Sequence, residues 1–328
     1  MAKSRPFKPR PTGSHKSKMK KPLQSATAVS YGTVKSFDGT EIFYSSEGTG
    51  KPLVFCYGLI CSSLHWTYQI DYFRSTHQTI WFDYRGHHNS QSPADMKSLT
   101  IENCARDLLA VLDDLKIKDA VILGHSLGVN VALEFYRQNP ERVAGLILAN
   151  GTAKRPFETI MNMNLRAGIP LIRAAYDKAP GIFSSLWKFQ KGNQLVRTVL
   201  GMTGFNPHLS HKSDIRRYAD DLADIPMDVF LRLCEDFDPY DATDWLPEVK
   251  VPTLVIAGDQ DVITPLSQQE HIHLHIPGSS LEVIKHGSHF SQMDLPDLIN
   301  LRVEKFLATF QYGEDRRKRS TRKTPIAD

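Results

Sequence analysis

The chain has no stretch approaching the ~18 consecutive apolar residues that a membrane-crossing helix needs, and its first residues lack the apolar block of a secretory signal. The expected location is the cytoplasm. Cysteine is scarce: Cys56, Cys61, Cys104 and Cys234 are the only four in 328 residues, and no two form a CxxC pair. In a reducing compartment they read as free thiols, so neither a disulfide framework nor a zinc site is inferred. Acidic residues are missing from the first 25 positions, which hold eight Lys or Arg and are rich in Pro and Ser. Large apolar residues are nearly missing there too. With no burial to offset ordering entropy, residues 1–25 are expected to form a disordered basic tail. No internal repeat is visible.

What remains is ordinary globular composition, 41% hydrophobic and 23% charged, in a chain somewhat longer than the ~250–300 residues at which single cores stop growing. One core with an inserted layer is the expectation. Residues 1–25 carry +8 and residues 311–328 a further +3, which leaves −7 on residues 26–310 of a chain whose formal charge is +4. Two basic tails thus flank an acidic body. Polybasic segments attract phosphate-rich polymers and anionic lipid by salt-sensitive Coulomb attraction. No aromatic residues interleave these charges as a base-stacking surface requires, so nucleic acid or membrane contact through the tails is disfavoured against solvated tails. The expected partner is a small molecule, and the oligomeric state is left open.

Within the body, Asp38-Gly39 is a hairpin signal between Tyr31-Phe37 and Glu41-Ser45. Six short continuous apolar runs follow, at Leu53-Tyr57, Thr79-Asp83, Ala120-Leu123, Leu146-Asn150, Thr253-Ala257 and Leu281-Ile284. They read as strands covered on both faces, which is the pattern of a parallel sheet. Helical periodicity separates them at Ile101-Leu115, Val129-Arg137 and Leu295-Phe310, so the class is α/β. Residues 152–242 break the alternation with helical pattern and Pro and Gly breaks but no convincing strand, and read as an inserted helical cap. The organisation is then tail 1–25, core 26–151, cap 152–242, core 243–310 and tail 311–328.

Gly124-His125-Ser126-Leu127-Gly128 lies between a buried strand and a helix. Small residues on both sides of a serine let the backbone turn sharply and hold the hydroxyl exposed above the sheet, the geometry of a nucleophile elbow. From about Tyr31 to Phe310 the chain resembles the α/β-hydrolase superfamily. The resemblance implies a mostly parallel eight-stranded sheet flanked by helices with an inserted helical cap, and a triad in the chain order Ser, acid, His.

Serine is a weak nucleophile near neutral pH and needs a base with an orienting acid. Gly258-Asp259-Gln260-Asp261 is similar to the family's acid loop, whose acid is the third residue after the Gly, and this implies Asp261 with Asp259 as the rival. Gly287-Ser288-His289, with Asp294 and Pro296 downstream, matches the family's His loop and implies His289 as base, His286 being the rival. The expected oxyanion donors are the backbone N–H groups of Leu127 and Leu59. In the loop carrying Leu59, Tyr57 stands where relatives begin His-Gly, while Gly58 is retained. His88, in Asp83-Tyr84-Arg85-Gly86-His87-His88-Asn89-Ser90, stands where many relatives carry Gly, and that segment is taken as structural. Tyr57, Gly58 and His125, with Phe183 and Trp187 of the cap, are the candidate substrate contacts.

Glu270-His271-Ile272-His273-Leu274-His275 invites a metal reading, but on a helix only His271 and His275 share a face and no third ligand accompanies them. No metal or cofactor is called for. Serine rather than carboxylate at the elbow excludes the resembling dehalogenases and epoxide hydrolases. A carboxylic ester hydrolase acting on a small or medium apolar substrate is expected. A lactonase, a C–C bond hydrolase or an acyltransferase would use the same triad, and a non-catalytic binding protein on this fold is the competing class.

Overall fold

The computed structural model describes residues 29–160 and 163–313. The tail of residues 1–25 lies outside them, as does the C-terminal tail beyond Gly313. Strands β1 (Ser30–Lys35), β2 (Glu41–Glu47), β3 (Pro52–Cys56), β4 (Gln78–Phe82), β5 (Ala120–His125), β6 (Val143–Ala149), β7 (Thr253–Gly258) and β8 (Ser280–Ile284) form one sheet in the order β1-β2-β4-β3-β5-β6-β7-β8. β2 runs antiparallel to β1 and β4, and every other pairing is parallel. The helices are α1 (Thr67–Phe73), α2 (Ile101–Asp114), α3 (Leu127–Gln138), α4 (Gly168–Lys178), α5 (Pro180–Phe189), α6 (Gln194–Thr203), α7 (Lys212–Leu222), α8 (Met227–Phe237), α9 (Leu266–His275), α10 (Ser291–Asp294) and α11 (Pro296–Thr309).

Every residue of β5 and β7 is buried, as continuous apolar runs in a doubly covered sheet should be. β8 corrects the expectation of burial on both faces: it is an edge strand, and Val283 is exposed there. The core also extends past the expected boundary at 310, because Tyr312 is buried and its hydroxyl donates to the Pro52 carbonyl at 2.8 Å. α4 to α8 all lie between β6 and β7, and an isolated antiparallel bridge between Lys154 and Asp241 closes the neck of this insertion.

The loop after β4 is anchored by a buried ion pair. Arg85 Nε and Nη2 donate to the two Asp107 oxygens of α2 at 2.7 and 2.5 Å, and both side chains are fully buried. Arg85 Nη1 adds a 2.9 Å contact to Asp38 in the β1–β2 turn. Removing one partner strands a buried charge, which costs about 3–5 kcal/mol. Asp107→Ala is therefore expected to lose stability on that scale in urea denaturation, whereas a loss under about 1 kcal/mol would show the pair to be dispensable.

Candidate active site

Ser126 sits between β5 and α3 with φ 56° and ψ −123°, a left-handed conformation that a side-chain-bearing residue adopts only at a cost of about 1–3 kcal/mol. Its N–H donates to the Ala149 carbonyl at 3.1 Å and its carbonyl accepts from Val129 N at 2.9 Å. The turn closes because its flanks lack side chains: a Cβ at Gly124 would come within 2.4 Å of the Gly128 carbonyl oxygen, and one at Gly128 within 2.3 Å of the Cys56 carbonyl oxygen.

Asp261 follows β7 and is buried. Its Oδ1 accepts from the Ile263 and Thr264 N–H groups, both at 2.8 Å, and its Oδ2 from Thr264 Oγ1 at 2.8 Å and Asn150 Nδ2 at 3.1 Å. His289, in the loop after β8, places Nδ1 2.9 Å from the same Oδ2. Nδ1 must then carry the proton, which leaves Nε2 free to accept one. Burial pushes the Asp261 carboxyl up, but His289 and the hydrogen bonds outweigh it and hold it below the ordinary carboxylate value. His125 donates from Nε2 to the His289 carbonyl at 2.8 Å, fixing the backbone that carries the base. Its pKa is lowered to about 3, chiefly by burial and then by His289 beside it.

The rivals lie elsewhere. Asp259 accepts from the His286 N–H at 2.7 Å and fastens that turn, while the His286 ring meets Gln260 Nε2 at 3.4 Å. Because Asp261 has its folded pKa below its unfolded one, its charge stabilises the fold above about pH 4, and that contribution is lost only as pH falls through the lower folded value. Replacing Asp259 or His286 is expected to leave the pH–rate profile unchanged, since neither side chain reaches the Asp261–His289 pair. A pH–rate profile flat from about pH 5 to 9, with chemistry rate-limiting, would count against an imidazole base.

Ser126 and His289 open on one cavity of about 170 Å³, with Leu59 on the sheet side and Phe157, Leu200 and Tyr218 from the insertion. Among the described residues no Arg, Lys, Asp or Glu lines it. Gly58 lies against the serine, since a Cβ there would stand 3.0 Å from Ser126 Cβ. The Leu127 N–H is the first donor of α3 and has no acceptor inside the helix. The Leu59 loop is strained at Ile60, a β-branched residue at φ 48°. Cys61 Sγ donates to the Leu59 carbonyl at 3.1 Å, and His88 Nε2 donates to the Cys61 carbonyl at 2.9 Å. The His88 that replaces glycine thus braces the loop from behind.

Four expected substrate contacts are corrected: His125 is fully buried, is turned to the His289 carbonyl and does not line the cavity. Tyr57 is buried behind the loop, its hydroxyl accepting from Tyr84 N at 2.9 Å. Trp187 stacks on Phe230 at 5.1 Å between ring centroids and donates to the Ile225 carbonyl at 2.9 Å, and Phe183 meets the Tyr176 ring at 6.5 Å. Neither lines the cavity, because α5 packs on α4 and α8 and it is α8 that contacts the core helix α2. Asn150 and Thr264 were missed as partners of the acid. Their signal was an Asn after a strand end, here at φ 47°, and a Thr three residues after the Asp. The His271 and His275 rings lie 4.1 Å apart, tilted by 38°, and among the described residues no group of three or more metal-ligating side chains forms.

A mostly parallel eight-stranded sheet with a serine on a strained strand-to-helix turn above it defines an α/β-type hydrolase. The model of the alpha/beta hydrolase fold matches residues 51–296, and the chain belongs to that family. Among curated relatives, the 3-oxoadipate enol-lactonase 2 of Acinetobacter baylyi is 28% identical over 260 residues, covering 79% of this chain and 89% of its own. Among solved structures, Est816, described as an N-acyl homoserine lactone degrading enzyme, superposes with a TM-score of 0.66 at 27% identity over 84% of this chain and all of its own. An esterase from Exiguobacterium antarcticum superposes with a TM-score of 0.71 at 22% identity, covering 84% of this chain and 98% of its own, which bears on the fold alone.

Proposed function

We propose that the protein hydrolyses an uncharged carboxylic ester through an acyl-enzyme on Ser126. His289 takes the serine proton and returns it to the leaving alkoxide, Asp261 holds and stabilises the imidazolium, and the Leu59 and Leu127 N–H groups receive the oxyanion. Water, deprotonated by the same imidazole, then releases the acid. The observation that carries this reading is the 2.9 Å His289–Asp261 pair opening on the cavity that Ser126 also lines. The uncharged lining supports an apolar acyl group, since a carboxylate or ammonium entering it would lose hydration without a counter-charge. A lactone is the second reading, favoured by the two relatives above that are described by their action on lactones. Initial rates on p-nitrophenyl esters of graded chain length beside neutral lactones test both. Activity is expected to peak at short to medium apolar acyl chains or on a neutral lactone, and a preference for anionic esters would contradict the reading.

A further inference from the structure

Apolar side chains left in solvent are concentrated on the outside of the insertion. On α5, Ile182, Leu186 and Phe189 are 64%, 63% and 77% exposed, and the i, i+4, i+7 spacing puts them on one face. Leu195, Val199 and Met202 repeat that spacing on α6 and are exposed by 71%, 51% and 73%. Exposed apolar area of this extent marks an interaction surface rather than ordinary scatter.

The charge of the same segment is equally uneven. Residues 163–224, which carry α4 to α7, hold nine Lys or Arg against five acidic residues, a net +4, while the rest of residues 26–310 is net −11; of these cations Lys191 and Arg197 are paired with Asp224 and Asp220. Beside the α6 stripe, Lys212 and Arg216 line an open groove of about 320 Å³. We propose that this outer face of the insertion, centred on α5 and α6, binds the surface of an anionic lipid bilayer, its apolar stripes entering the acyl boundary and its cations meeting the headgroups. Helices with apolar stripes set among basic residues lie in an interface in this way. A second copy of the chain is a poorer occupant, since a two-fold contact sets the same net-cationic patch against itself, +4 against +4. No helix among the described residues is long and apolar enough to cross a bilayer, so the contact is peripheral. α6 also lines the catalytic cavity through Leu200 and Thr203, so the docked face is the one that roofs the site. The binding does not rest on the hydrolase reading; delivery of an apolar ester from the bilayer would.

The test is flotation of the full-length chain with phosphatidylcholine vesicles with and without phosphatidylglycerol, at low and high salt. The chain is expected to float with the anionic vesicles at low salt, and Ser126→Ala is expected to float equally whatever its activity. The triple variant Ile182→Ser, Leu186→Ser, Phe189→Ser, with its melting temperature unchanged, is expected to bind at least about tenfold more weakly. Undiminished flotation of that variant would assign binding to the basic tails and overturn the proposal. So would failure of the native chain to float, or self-association that the triple substitution abolishes.

Discussion

Ser126→Ala and His289→Ala are each expected to lower turnover of the best ester or lactone by about 10⁴- to 10⁶-fold while leaving the melting temperature nearly unchanged. The double variant should be no slower than either single one, because members of such a unit fail together. Asp261→Asn is expected to cost less than either but still orders of magnitude. It keeps the shape of the carboxylate while removing the charge that selects the productive His289 tautomer. Asp259→Asn should change turnover by less than about threefold, since that side chain only fastens the His286 turn. Near-normal activity in Ser126→Ala would refute the elbow assignment, and equal damage from the two aspartate changes would leave the acid unassigned.

The elbow glycines predict the second large effect. At Gly128 an added Cβ would meet the Cys56 carbonyl oxygen at 2.3 Å and the Tyr57 carbonyl oxygen at 2.8 Å, both backbone atoms of the strand that leads into Gly58 and Leu59. Backbone cannot rotate away as a side-chain tip can, so α3 and the Leu59 loop must part. Gly128→Ala is expected to cost about 1–3 kcal/mol of stability. Parting Leu59 from Ser126 by a fraction of an ångström to an ångström should cost up to about 10²-fold in turnover. Gly168→Ala is the control: it starts α4, meets nothing within 4 Å and should leave both quantities unchanged. Equal behaviour of the two alanines would mean that the close approach at Gly128 is not needed.

These contrasts also show what could be read from the residues alone. The strands were legible because β5 and β7 are buried on both faces and so must be apolar throughout. Ser126 was legible because the two flanking close approaches demand glycine within a five-residue window. Asp261 and His289 are 28 residues apart and carry no local code linking them. They were found through the resemblance, and only packing shows that Thr264 and Asn150 complete the acid's hydrogen bonds. Trp187 and Phe183 misled for a related reason. An aromatic residue in a helical pattern signals burial against something, but whether that is a cavity or a neighbouring helix depends on how α5 is stacked on α8, which is a tertiary relation. Deletion of residues 1–25 is expected to leave small-ester hydrolysis within about twofold, since neither the triad nor the Leu59 loop lies there.

The central claim is that the chain works through a covalent bond to Ser126, and the most direct measurement is mass analysis of the protein after reaction with a fluorophosphonate. One adduct per chain is expected, located by tryptic digestion on the peptide Asp119–Arg137 and absent from Ser126→Ala. An adduct on another residue, or none in a preparation that hydrolyses esters, would contradict it.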